Sequence, residues 1–347
     1  MNFNLSIPFI KISFLNANIY QKSFFDTLFF HTEFKTETLL NVHITFAKTT
    51  PTITQHTLEN NCFRNDNNFY ILDTKKNKCK VNLHSFTKNN INLEVEEGFD
   101  LYYLFTFLIE PLLIIWASTH KLLFIHSSGI AKEKKISIFP AWRNTGKTNT
   151  ILEYCKDGYD FCGDDFCLIY GSDSYLYPKT LNLFSYNLSA FPMVYDHLPK
   201  PIFMRLKITL LIKKFLYNLS QITNGGLSKV LYRISELAEI STNIKVNPKQ
   251  LHISVCNKGE LTEIILLQKS NERKQITKKI DTDLAIKKIL QTIKYELKDF
   301  FELYSKYLFL FPDKTNRIID TFDINYEKLL ISLRPQFKIR LLSKGST

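Results

Sequence analysis

Glycine and alanine are scarce in this chain, with only ten glycines in 347 residues, while asparagine and lysine abound. Such usage reads as the compositional bias of a genome, so the net charge of +12 is discounted as a functional sign. A basic surface still favours nucleotides, acidic peptides or anionic membranes. No C-x-x-C pair occurs: the six cysteines (Cys62, Cys79, Cys155, Cys162, Cys167, Cys256) are irregularly spaced, which fits a reduced, cytoplasmic chain with buried thiols. Cys162 and Cys167 lack histidines at zinc spacing and read as apolar strand residues. The N-terminus carries no basic n-region and no small-residue cleavage site, which argues against a secretory leader. Without a zinc knuckle, a basic helix or an aromatic-studded RNA motif, nucleic acid is not an expected partner. No repeat or low-complexity linker is visible.

What is present is an apolar fraction of 45%, and a length that allows one large domain or two smaller ones. Leu101–Ser118 is long and apolar enough to be tested as a membrane span. Glu110 and Pro111 stand at its middle, where a carboxylate is costly in lipid and proline breaks the helical ladder, so the segment reads as a buried helix, or two, and no span is expected.

Along the chain, residues 1–67 alternate short apolar runs with Asn/Thr/Lys clusters and suggest a strand at Asn41–Phe46. Asn68–Asp73, Cys79–Leu83 and Ile91–Glu96 predict a small antiparallel sheet. Leu122–Ile130 and Lys135–Phe139 predict a hairpin, Phe166–Tyr170 and Tyr175–Tyr177 another, and Leu181–Phe184 a third short run. Residues 200–240 read as a basic helical insertion interrupted at Asn224-Gly225-Gly226, either a solvated face or a docking surface for an acidic partner. Strands are expected at Leu251–Val255 and Glu260–Gln268. They precede a long helix whose apolar face is Leu284, Ile289, Ile293, Leu297, Phe300 and Leu303. Tyr307–Leu333 is read as a strand and a helix, and the basic tail after Pro335 as surface. A composition shift places a β-rich portion at 1–98 and a second unit at 99–347.

The most informative stretch runs from His126 to Asp165. It holds the apolar strand Ile136–Phe139, the loop Pro140-Ala141-Trp142-Arg143-Asn144-Thr145-Gly146-Lys147-Thr148, a helix-compatible run Lys147–Lys156, a stop at Gly158 and the pair Asp164-Asp165. A loop between a strand and a helix start aims backbone N–H groups at phosphate oxygens, and the helix N-terminus and Lys147 add positive charge. Residues Ala141 to Asn149 are therefore the candidate nucleotide site. The full phosphate-loop pattern is Gly-x-x-x-x-Gly-Lys-Thr/Ser, and its first glycine is here Ala141. Thr148 with Asp164 and Asp165 is the candidate set for Mg²⁺.

From Phe99 to Leu183, about a quarter of the chain, this order resembles the catalytic domain of HPr kinase/phosphorylase-related proteins, whose fold is shared with ATP-dependent phosphoenolpyruvate carboxykinase. The matched features are a hydrophobic helix, His126-Ser127-Ser128-Gly129 on a strand, the loop ending Gly146-Lys147-Thr148, Gly158-Tyr159 and Asp164-Asp165. Tyr177-Pro178-Lys179 also resembles a proline-bearing strand of such proteins. The resemblance implies an α/β fold with a mixed, largely antiparallel sheet. It also implies an ATP- and Mg²⁺-dependent kinase acting on a hydroxyl of a protein, peptide or small molecule, or else an inactive nucleotide-binding module of that fold. By position, Gly146, Lys147 and Thr148 hold phosphates and metal, and Asp164 and Asp165 divide metal support and base. His126 is a proton or charge partner near the phosphates or a satisfied strand histidine, and Arg143 a charge-stabilising or an exposed loop residue. Homo-oligomers are compatible with it. The Glu-x-Arg-Gly signature of the bifunctional enzyme is missing, so phosphorolysis and HPr as acceptor are not implied.

Overall fold

Alternation of apolar and polar side chains builds the first sheet of the computed structural model, which describes residues 1–48, 57–58, 61–86, 89–184, 187, 198, 200–223, 226–240, 243–270, 276–334 and 338–345. Strands β1 (Phe3–Ile7) and β2 (Ile10–Leu15) form a hairpin, and helix α1 (Ile19–Leu28) crosses to β3 (Leu40–Ala47). A capping box between Asn18 and Gln21 starts α1. Five strands follow: β4 (Thr57–Leu58), β5 (Cys62–Asn65), β6 (Asn68–Leu72), β7 (Lys78–Val81) and β8 (Asn90–Glu96). The order is β1-β2-β3-β8-β7-β6-β5-β4. The expected small antiparallel sheet is thus one flank of a larger mixed one, in which β3 runs parallel to both β2 and β8. Ile12, Val42 and Ile91 align in a buried row across those three strands, because successive side chains of a strand alternate faces.

Helix α2 (Leu101–Thr119) packs against the second sheet. It is long and apolar enough to cross a membrane, and 78% of its most apolar window is buried inside the chain. Pro111 does not split it. A π-helical stretch, Leu104–Ile109, lies just ahead, and the Glu110 N–H reaches back to the Phe105 carbonyl, which accommodates the proline ring without ending the helix.

The second sheet begins with β9 (Leu122–Lys132) and β10 (Lys135–Pro140), joined by Glu133-Lys134, both at positive φ. Helix α3 (Lys147–Lys156) leads to β11 (Asp160–Gly163), β12 (Phe166–Tyr170) and β13 (Asp173–Leu176). Next come β14 (Leu181–Leu183), α4 (Lys200–Ile222), α5 (Gly226–Ile240) and β15 (Ile244–Val246). β14 pairs with β15 in a separate two-stranded sheet. The chain ends with β16 (Lys258–Ser270), β17 (Ile276–Lys279), α6 (Thr282–Glu296), α7 (Lys298–Leu310), α8 (Arg317–Asp320), α9 (Phe322–Ser332) and β18 (Lys338–Gly345). β16 pairs antiparallel with β13 and parallel with β10, so β10, β9, β12, β13 and β16 close on themselves. Gly259 is required at this closure: a Cβ there would sit 2.2 Å from the Lys134 carbonyl oxygen. The architecture is α/β with mixed sheets, and one hydrophobic cluster runs from Leu5 to Leu330.

Three local expectations are corrected, and the tail read as surface proves to contain a strand. Leu251–Val255 is no strand: Pro248–Leu251 forms a 3₁₀ turn, capped by Asn247 and Gln250, and Val255 makes only a bridge to Phe161. The proline fixes φ for a helical turn, and the reciprocal cap outweighs the β-propensity that follows. The stretch Tyr307–Leu333 contains no strand among the described residues, since α8 and α9 occupy it. Within the basic tail, Lys338–Gly345 is a strand inserted between β16 and β17, so its backbone is paired on both sides. Leu284 is 47% exposed, on a different side of α6 from the buried Ile286, Ile289 and Ile293. The break expected at Asn224-Gly225-Gly226 falls partly outside the described residues; α4 ends at Ile222 and α5 begins at Gly226.

Candidate functional site

The loop from Ala141 to Gly146 is set by what flanks it. Ala141 is buried and continues β10 through a parallel bridge to Leu267, and its backbone is not in the left-handed region. Alanine is therefore unstrained at this point. The chain turns at Asn144 (φ 58°) and Gly146 (φ 97°), a conformation that favours glycine at the second site. The Thr145 hydroxyl donates to the Trp142 carbonyl at 2.7 Å and closes the loop. Gly146 is the N-cap of α3 and brings no side-chain acceptor, so the first amides of the helix face the cleft without a cap from that residue. Trp142 packs on Tyr295 with ring centroids 4.6 Å apart. Arg143 grips Glu296 with two bonds of 2.9 and 2.6 Å, pinning the loop to the end of α6. That bond with Glu296 raises the guanidinium pKa further.

Lys147, the first residue of α3, points inward. Its Nζ lies 2.5 Å from His126 Nε2. Burial lowers the Lys147 pKa against the opposing pull of Asp165, Asp164 and Glu296. Burial, then the charges of Lys147, Arg143 and Lys179, hold His126 well below its ordinary value. The imidazole is accordingly neutral, with a lone pair for Lys147 and Glu296 3.5 Å from Nδ1. His126 is thus a strand residue with partners, and its ring touches the lysine.

Asp164 and Asp165 occupy the irregularity where β11 gives way to β12 along the same edge of β9. The kink sends them to different places. Asp164 is buried, and its Oδ2 accepts from the Thr148 hydroxyl at 2.9 Å, whereas its Oδ1 is buried with no hydrogen-bond partner. Burial, then the neighbouring Asp165 charge, push its pKa up to about 6. Asp165 has a left-handed backbone (φ 69°), and its side chain is 46% exposed. It lies 3.6 Å from Lys179 Nζ.

Glu110, Tyr177 and Lys179 were not singled out together from the sequence, yet Glu110 and Lys179 line the cleft and Tyr177 supports Glu110 from the core. Lys179 Nζ is 2.8 Å from Glu110 Oε1, and the Tyr177 hydroxyl donates to the same oxygen at 2.7 Å. Burial pulls the Lys179 ammonium down, but the Glu110 and Asp165 carboxylates more than offset it and keep the pKa above its ordinary value. Lys179 therefore stays charged between two carboxylates. The signals available were a carboxylate inside an apolar run and a lysine after Tyr177-Pro178. Their pairing spans 69 residues of chain.

These groups line one cleft of about 400 Å³ together with Thr180, Asn182, Asn187 and Lys245. The Asn187 amide donates to Asn149 Oδ1 at 2.5 Å. Of the candidate residues, Arg143 to Asn149 line this cleft with His126, Asp164 and Asp165; Ala141 and Trp142 lie on the far side of the loop. There, a second cavity of about 470 Å³ is lined by Leu266, Leu267, Lys287, Lys288 and Gln291. Among the described residues, no group of three or more His, Cys, Asp or Glu stands as a metal cage. No family model matches this chain, and no curated protein matches it.

Proposed function

We propose that this cleft binds ATP with Mg²⁺ and transfers a phosphoryl group to a hydroxyl, as an HPr kinase-like phosphotransferase would. One observation carries the reading: a half-buried lysine at an uncapped helix N-terminus stands beside a Thr148–Asp164 pair whose second carboxylate oxygen is buried and unpartnered. A buried acceptor with nothing to accept is costly unless a ligand completes it. A hard cation prefers oxygen donors, and Asp164 Oδ1, Asp165 and the Thr148 hydroxyl offer them, so the residues fit Mg²⁺. When bound, Mg²⁺ supplies neutralising charge between phosphoryl oxygens.

The chain's own groups would then divide the work. The amides of Asn144 to Thr148 and the Lys147 ammonium hold the phosphates, and neutral His126 steers that ammonium without competing for its charge. Asp165 is the group placed to take the acceptor's proton: its side chain is half exposed in the cleft, whereas Asp164 is buried with one oxygen on Thr148 and the other free for a cation. Lys179, itself paired with Glu110, stands 3.6 Å from Asp165 and orients it. The second cavity, walled by Trp142, Leu266 and Leu267 together with Lys287, Lys288 and Gln291, has the size for a nucleoside. The motif order and the mixed α/β sheet support the same reading.

The experiment is incubation with γ-labelled ATP and Mg²⁺, with candidate proteins, peptides and hydroxyl metabolites as acceptors. Transfer or hydrolysis should occur and fall by about 10²-fold or more in Lys147→Ala and Asp165→Ala. Nucleotide binding without turnover on any acceptor would point instead to a non-catalytic module. Absence of both, in folded protein, would overturn the reading.

A further inference from the structure

Helix α4 has two apolar faces, and among the described residues only one is covered. Leu206, Thr209 and Ser220 are buried, and Leu206 joins the cluster that holds Ile151 and Leu152 of α3. On the opposite side, Met204, Ile208, Leu211, Ile212, Phe215 and Ile222 recur at helical spacing, and each is 46% exposed or more. Helix α5, tied to α4 by the Ser228 hydroxyl on the Ser220 carbonyl, adds exposed Leu227, Val230 and Ile234. A contiguous exposed apolar stripe of this kind marks a docking surface.

The charges around the stripe name its partner. From residue 200 to residue 240 there are seven Lys and Arg against two acids, Glu236 and Glu239 near the end of α5. Lys200, Lys207 and Lys214, all exposed and spaced by seven residues, run as a line beside the apolar stripe on α4. A second copy of the same surface would set like charges against each other, so self-association is disfavoured. An apolar stripe edged by lysines is what an anionic bilayer takes up: the side chains enter the acyl boundary while the ammonium groups meet the headgroups. We propose that the α4–α5 hairpin docks the protein peripherally on anionic membranes, lying in the interface plane. This does not depend on the phosphotransferase reading.

The test is co-sedimentation of the full chain with phosphatidylcholine vesicles, with and without phosphatidylglycerol, over a salt series. The protein should pellet with the anionic vesicles and be released as salt rises. Ile208→Ser/Leu211→Ser/Phe215→Ser, altering only exposed positions, should weaken binding on the order of a hundredfold. Lys200→Glu/Lys207→Glu/Lys214→Glu should weaken it by at least about tenfold. A Phe215→Trp variant separates insertion from loose electrostatic capture, and its emission should shift to the blue on anionic vesicles alone. No pelleting, equal pelleting with neutral vesicles, or an unshifted Phe215→Trp emission would overturn the proposal. So would a dimer in solution that the serine triple variant dissolves, or an acidic protein that displaces the vesicles from this face.

Discussion

Two buried aspartates, one in each sheet region, show how differently the two parts of the molecule treat charge. Beside the first sheet, Asp73 accepts from the backbone N–H groups of Lys75, Asn77 and Asp100 and from the Asn77 side chain, so both its oxygens are occupied. In the cleft of the second, Asp164 has one hydrogen-bonded oxygen and one that is buried and bare. The first carboxylate ties the turn after β6 to the start of α2 and is structural. The second is held at a cost to the fold, beside the half-buried Lys147, the buried His126 and a buried Lys179–Glu110 pair. Such concentration of desolvated charge in a cleft is what a site prepared for a charged ligand requires.

The largest effect on this contrast is expected from Lys179→Met, which strands Glu110 in the core and removes the partner of Asp165. It should cost about 3–5 kcal/mol in denaturant unfolding. Adding Glu110→Leu should restore most of that stability without restoring the cleft's function. Next, Asp73→Ala leaves several donors without their acceptor and should cost about 3 kcal/mol.

Asp164→Asn should act with the opposite sign and a smaller size. The folded state raises this carboxyl from 3.8 to about 6, so it holds a proton more tightly than the unfolded chain does. That proton stabilises the fold below the unfolded value, and the stability it provides is lost as pH rises through about 6. At pH 8 the asparagine variant should melt higher, by about 2 kcal/mol of stability, and the gain should vanish near pH 4. If Asp164→Asn destabilised the protein at pH 8 as Asp73→Ala does, the two aspartates would be alike and the contrast would fail.

Much of the fold could be read where local chemistry announces itself. The β9–β10 hairpin, β3, β6, β7 and β8 follow from alternation and polar turns, and the loop-helix-Asp-Asp order follows from adjacency. The β1–β2 hairpin escaped notice because its two-residue turn is Pro8-Phe9, with Phe9 in the left-handed region and no Gly or Asn to signal it. That turn is held from afar, by the Thr36 hydroxyl on the Phe9 amide and by Leu39 on its carbonyl. The strand at Lys338–Gly345 was hidden by its basic residues, since its pairing with β16 and β17 is a backbone matter. In the site, Arg143–Glu296 and Lys179–Glu110 escaped for the same reason. Each joins residues far apart in the chain, and no spacing rule connects them.

The most direct test of the central claim is a calorimetric titration of ATP into the protein, with and without Mg²⁺, repeated on Lys147→Ala and Asp164→Ala. The account expects a single site in the wild type, tightened by Mg²⁺, with affinity lost in Lys147→Ala and the Mg²⁺ dependence lost in Asp164→Ala. Folded protein that takes up no nucleotide, or both variants binding as the wild type does, would contradict it.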